Sequence, residues 1–135
     1  MKIYIAAKYA KRFELRELFL AVENLGHTCT SRWIWGDEEG KTTEGAAVMD
    51  VEDVLRSDCL VFIGEPRSSK NYGGGRWFEF GLAYGHKKRC ICVLDMSVVD
   101  GNHLLPAGHE SVFTALPDVE RVTNFDQLLD LLEVK

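Results

Sequence analysis

Three short apolar runs, Ile3–Ala7, Cys59–Ile63 and Cys90–Leu94, constrain this chain more than any other feature, and the last two are apolar at every position. A strand with one face in water alternates apolar and polar residues, whereas a strand covered on both faces does not. The runs therefore predict a parallel sheet sandwiched between helices. Helical patterns lie between them. Leu15, Leu18, Phe19 and Val22 repeat at i, i+3, i+4 and i+7, and Gly26 supplies a stop. Val48, Val51, Val54 and Leu55 mark a second helix, Arg76–His86 a third, and Phe125–Glu133 a fourth with Asn124 as its N-cap. His27–Ile34 reads as a strand, Trp35–Gly45 as a polar loop, and Glu120–Val122 as a short strand ahead of the last helix.

Strands alternating with helices in this way give a doubly wound α/β fold, flavodoxin- or Rossmann-like, of about five parallel strands with helices on both faces. The whole chain, 1–135, reads as one domain. A strand order of 2-1-3-4-5 is expected. It would open a ligand crevice between the turn after the first strand, at Lys8 and Tyr9, and the loop Gly64–Gly75.

Charge and composition narrow the function classes. The formal net charge of -5 argues against a nucleic-acid polymer or an anionic membrane as partner. No apolar run approaches the ~18–20 residues of a membrane span. The first strand starts after a single lysine with no signal-peptide pattern, so a cytoplasmic location is expected. Cys29, Cys59, Cys90 and Cys92 match no zinc spacing and read as reduced core cysteines. The four histidines show no metal-ligand spacing, so no metal site is expected, and the reading calls for no cofactor.

The chemistry concentrates in one stretch. The loop Glu65–Gly75 is long for a strand-to-helix connection and ends in Gly73-Gly74-Gly75. Consecutive glycines let backbone approach a ligand or turn with positive φ, although a surface loop would also accommodate them. Neither standard phosphate cradle fits. No glycine follows the first strand in Ala6-Ala7-Lys8-Tyr9-Ala10, and no Walker lysine follows the glycines. Glu79 then lies in Trp77–Tyr84, a helix apolar nearly all round. A carboxylate there needs a partner or a task. It is either an ionised nucleophile near a helix N-terminus or an ion-pair partner of Arg76 at i, i+3. Asp50 and Asp53 share a helix face that solvent would explain. Asp58 opens a buried strand, where it could bond backbone or reach the site. The phenol of Tyr4 needs a partner if buried.

The run Gly74-Gly75-Arg76-Trp77-Phe78-Glu79-Phe80-Gly81-Leu82-Ala83, followed by a basic turn and the strand Cys90–Leu94, resembles the nucleoside 2-deoxyribosyltransferase family. That family includes related deoxynucleoside 5′-monophosphate N-hydrolases. Lys2-Ile3-Tyr4-Ile5-Ala6, Asp50-x-x-Asp53 with Ser57-Asp58, and Ser111-Val112-Phe113 with Leu116-Pro117-Asp118-Val119 are also similar. The resemblance implies an enzyme that cleaves the N-glycosidic bond of 2′-deoxynucleosides or their monophosphates through a covalent deoxyribosyl-Glu intermediate. Glu79 would be the nucleophile, Tyr4 would orient it, and Asp58 would contact the base. Lys8, Tyr9, Gly73, Gly74, Gly75 and Arg76 would bind substrate, with Arg67, Ser68, Ser69 and Lys70 near a 5′-phosphate. Some transferases carry an acidic residue six positions before the glutamate. Gly73 stands there, which makes water a stronger competitor for the intermediate. The resemblance also implies a homo-oligomer with shared sites, to which Gly101–Asp118 would contribute. The alternatives are a non-catalytic nucleotide-binding or sensor module on the same fold and a flavodoxin-like redox protein.

Overall fold

The computed structural model describes residues 1–38, 40–65, 74–94 and 111–133. Five parallel strands form one sheet: β1 (Lys2–Ala6), β2 (Thr28–Cys29), β3 (Cys59–Ile63), β4 (Arg89–Val93) and β5 (Glu120–Val122), in the order β2-β1-β3-β4-β5. The expected strand order and doubly wound architecture are thus observed. Register is set by pairs such as Tyr4 opposite Leu60 and Val61 opposite Ile91. All five residues of β3 are buried, so its side chains face helices on both sides, each contributing about 1.5–3 kcal/mol for the larger apolar ones.

Four helices complete the layers: α1 (Arg12–Asn24), α2 (Thr43–Arg56), α3 (Gly74–Gly85) and α4 (Phe125–Leu132). Helix α1 packs beside α4, and α2 beside α3. Leu15, Leu18, Phe19 and Val22 are all buried, as their spacing predicts. The chain leaves α1 through Gly26 at φ 98°, a left-handed conformation that favours glycine. Asn124 caps α4, its side chain accepting from the Gln127 amide at 2.8 Å. No helix among the described residues is long and apolar enough to cross a membrane. Cys59, Cys90 and Cys92 are buried free thiols, and burial pushes Cys59 up to about 12.

Three expectations need correction. His27–Ile34 forms a strand only at Thr28–Cys29. The Ser31 hydroxyl accepts from the Ile5 amide at 2.9 Å. A side-chain oxygen thereby takes the ladder position of a backbone carbonyl, and the chain turns into a 3-10 segment at Arg32–Trp35. Second, α2 buries Met49, Asp53 and Val54, while Val48 and Leu55 are exposed. Asp53 belongs to the inner face because two arginines neutralise it, so the valine pattern alone misplaces that face. Third, α3 is not enclosed all round: Phe78 is 62% exposed.

Candidate active site

Tyr4 lies mid-strand in β1 and is fully buried, yet its phenol finds a partner. The hydroxyl donates to Oε2 of Glu79 on α3. This contact joins residues 75 positions apart and fixes the carboxyl beside the carboxyl end of β1. Burial raises the Glu79 carboxyl to about 7, the Tyr4 bond opposes that rise, and the charges of Glu38 and Asp53 add to it. Burial together with Glu79 holds the Tyr4 phenol well above its ordinary value, so it remains a donor.

The pair faces a cleft of ≈ 220 Å³. Lys8 and Tyr9, after β1, form one side, and Trp33 and Glu38 come from the segment before α2. Asp50 projects from α2, while Gly75, Arg76 and Glu79 come from α3. The cleft thus opens at the carboxyl ends of parallel strands, where doubly wound sheets hold their ligands. The Trp33 indole donates to the Ile5 carbonyl at 2.9 Å, which anchors its ring in the wall. The Tyr9 ring lies 6.2 Å from it. The buried Arg76 guanidinium lies 5.0 Å over the Phe62 ring. Lys8 stands 4.0 Å and Lys11 2.9 Å from Glu65, whose charge is thereby balanced at the end of β3. A Cβ on Gly74 or Gly75 would meet nothing within 4 Å, and neither has positive φ. Internal packing therefore does not require these glycines, and Gly75 leaves open space on the cleft side.

Asp50 and Asp58 both depart from their expected places. Asp50 was expected on a solvated face, but it lines the cleft, where burial and the Glu38 carboxyl beside it raise it to about 9. Its i, i+3 partner Asp53 is fully buried, contacting Arg32 at 2.8 Å and Arg56 at 2.6 Å. The spacing was visible in the sequence, but the inward rotation of α2 was not. Trp33 falls in the stretch that reads as a strand and Glu38 in the polar loop, and neither pattern marks a residue as lining a cleft. Asp58, by contrast, precedes β3 and accepts from the Lys2 amide at 2.9 Å. The strands are parallel, so Asp58 lies at their amino ends, a five-residue strand away from the cleft, or about 16 Å. It bonds backbone there and does not reach the site. Arg67, Ser68, Ser69, Lys70 and Gly73 lie outside the described residues, as do residues 101–110 of the segment expected to complete a neighbour's site.

Chemically, the cleft presents a carboxyl able to ionise near neutral pH, held by a phenol, and a second carboxyl that keeps its proton. Such a pair can attack an electrophilic carbon and protonate a leaving group.

No protein-family profile matches the sequence, and no curated protein matches it. Solved structures do. A conserved protein from Enterococcus faecalis superposes with a TM-score of 0.75 at 18% identity, over 98% of this chain and 96% of that one. A CMP N-glycosidase from Clostridium botulinum gives a TM-score of 0.64 at 16% identity, over 98% and 97%. A 2-deoxyribosyltransferase from Bacillus psychrosaccharolyticus gives a TM-score of 0.66 at 17% identity, over 100% and 98%. The chain therefore has, along its whole length, the fold on which a 2-deoxyribosyltransferase and a CMP N-glycosidase are built.

Proposed function

We propose that this protein cleaves the N-glycosidic bond of a nucleoside or nucleotide, with a 2′-deoxyribosyl group as the preferred sugar. The observation that carries this reading is the Tyr4–Glu79 pair at the edge of a cleft on this fold. Glu79, ionised, attacks the anomeric carbon. The bond to the base breaks, its electron pair leaves with the base nitrogen, and the sugar is held as an ester on Glu79. Water or a second base then attacks the same carbon and releases the carboxylate. Tyr4 keeps the attacking oxygen aimed, and the absence of a 2′-hydroxyl both eases the oxocarbenium-like transition state and leaves room beside the phenol. The two named structural neighbours act on related bonds, which supports the reaction class. Water is expected to compete well with an acceptor base, because Gly73 has no side chain to grip one.

The test is incubation with a panel of deoxynucleosides, ribonucleosides and their monophosphates, with free base detected by chromatography. Base release is expected, faster from deoxy than from ribo substrates, and Glu79→Ala is expected to lower it by roughly three orders of magnitude or more while remaining folded. A variant keeping more than about a tenth of the rate would remove Glu79 from the nucleophile's role. Binding of nucleotides without any base release would favour a sensor module instead.

A further inference from the structure

Strand β1 carries Tyr4 into the site, yet its backbone pairing with β2 ends early. On that edge the rungs run from the Thr28 amide to the Met1 carbonyl at 2.9 Å and from the Thr30 amide to the Ile3 carbonyl at 2.8 Å. Alternate residues of a parallel strand bond the same neighbour, so the next rung belongs to Ile5. Side chains supply it. The Ile5 amide donates to the Ser31 hydroxyl at 2.9 Å, and the Ile5 carbonyl accepts from the Trp33 indole at 2.9 Å. Ile5, Ser31 and Trp33 are all buried. A buried peptide group left unbonded is costly, so these two contacts hold β1 to this edge beyond the end of β2.

Tyr4 directly precedes Ile5. A side chain rooted in a strand moves with its backbone, and a hydrogen bond weakens steeply once its distance or angle is lost. We propose, resting on the glycosidase reading above, that Ser31 and Trp33 are positioning residues: they stand in for the missing length of β2 and hold β1 where the Tyr4 phenol aims Glu79 at the anomeric carbon. Trp33 has two separable roles, because its ring walls the cleft while its N–H anchors the strand. Ser31 lies outside the cleft lining, so its influence on Glu79 passes through β1.

The bond from Tyr4 opposes the rise that burial imposes on Glu79. Slackening β1 weakens that bond and lets the carboxyl titrate above about 7. Other charged groups surround Glu79: Arg76 on its own helix, Asp50 and Asp53 from α2, Glu38 ahead of α2, and Lys8 after β1. Substitution of Ser31 or Trp33 alters none of these charges.

The experiment compares wild-type protein with Ser31→Ala, with Trp33→Phe, which keeps an aromatic wall without the donor, and with Leu128→Ala, which opens a cavity under α4 away from the cleft. The Glu79 carboxyl is titrated by carbon NMR, its signal assigned by its loss in Glu79→Gln. Its midpoint should move upward in Ser31→Ala and in Trp33→Phe and stay in place in Leu128→Ala. On a deoxynucleoside cleaved by the wild type, both site variants should lose roughly tenfold in kcat with KM within about twofold. An unmoved midpoint in either folded variant, or an equal shift in Leu128→Ala, would overturn the positioning role while leaving the glycosidase reading intact. A rise in KM with kcat unchanged in Trp33→Phe would reduce Trp33 to a wall and overturn its anchoring role. A wild type that releases no base overturns the glycosidase reading and, with it, the part assigned to these residues in the attack.

Discussion

At the scale of single residues, the decisive contact is the hydrogen bond from Tyr4 to Glu79. A buried carboxylate is disfavoured, and burial has raised Glu79 to about 7 despite this bond. A nucleophile must be ionised, so kcat/KM is expected to rise with pH through about 7. It should fall again as Asp50 loses its proton near 9. Tyr4→Phe removes the interaction that lowers the Glu79 value, so its acidic limb should move upward. The rate should drop roughly 10- to 100-fold, the cost of one hydrogen bond to a charged group. An acidic limb unchanged in Tyr4→Phe would show that the phenol does not govern the carboxyl. The same shift has a sign in stability. Glu79 is raised on folding, so its favourable contribution is present below about 4.5 and is lost as pH rises through about 7. Glu79→Gln should therefore raise Tm relative to wild type at pH 8, with little gain at pH 4, as calorimetry at both pH values would show.

At the scale of elements, Asp53 ties α2 to the segment that carries Trp33 and Glu38. Its carboxylate accepts from the Arg32 side chain at 3.0 Å and from the Arg32 amide at 3.2 Å, and Arg56 closes the other side at 2.6 Å. Both arginines are substantially exposed, so the pairing is screened, but Asp53 itself is fully buried. Asp53→Asn should destabilise by about 1–3 kcal/mol in urea unfolding, because a buried amide would then face two guanidinium groups. Loosening this tie should raise KM more than it lowers kcat, since the wall of the cleft shifts while Glu79 stays held by Tyr4. A variant with wild-type stability would mean that the network adds nothing. The helix periodicities were legible in the sequence for α1, whose four predicted residues are all buried. They misled for α2, because a paired aspartate can occupy the inner face as well as a valine does.

At the scale of the whole molecule, Val48 and Leu55 on α2 and Phe78 on α3 lie exposed on two helices that pack side by side. Apolar residues so placed favour association, and symmetric self-association is the commonest form. A homo-oligomer that buries these residues is expected. Sedimentation velocity should show a species larger than the 15.3 kDa chain at micromolar concentration, and Phe78→Asp should shift it toward monomer. A monomeric wild type would refute the expectation.

The sequence by itself determined the layers. Continuous apolar runs in Cys59–Ile63 and Cys90–Leu94 can be satisfied only by covering both faces of a strand, and strands separated by helices must then run parallel, which places a crevice at their carboxyl ends. It also singled out Tyr4 and Glu79, because a phenol and a carboxylate in apolar surroundings each need a partner. Tertiary structure alone decided that they are each other's partner, across 75 positions. It likewise decided which aspartate faces the cleft. Asp58 and Asp50 are close in sequence, yet the direction of β3 sends Asp58 to the far end of the sheet, and the rotation of α2 turns Asp50 inward against Glu38. Strand direction and helix rotation arise from packing the whole sheet, and no local pattern of residues encodes them.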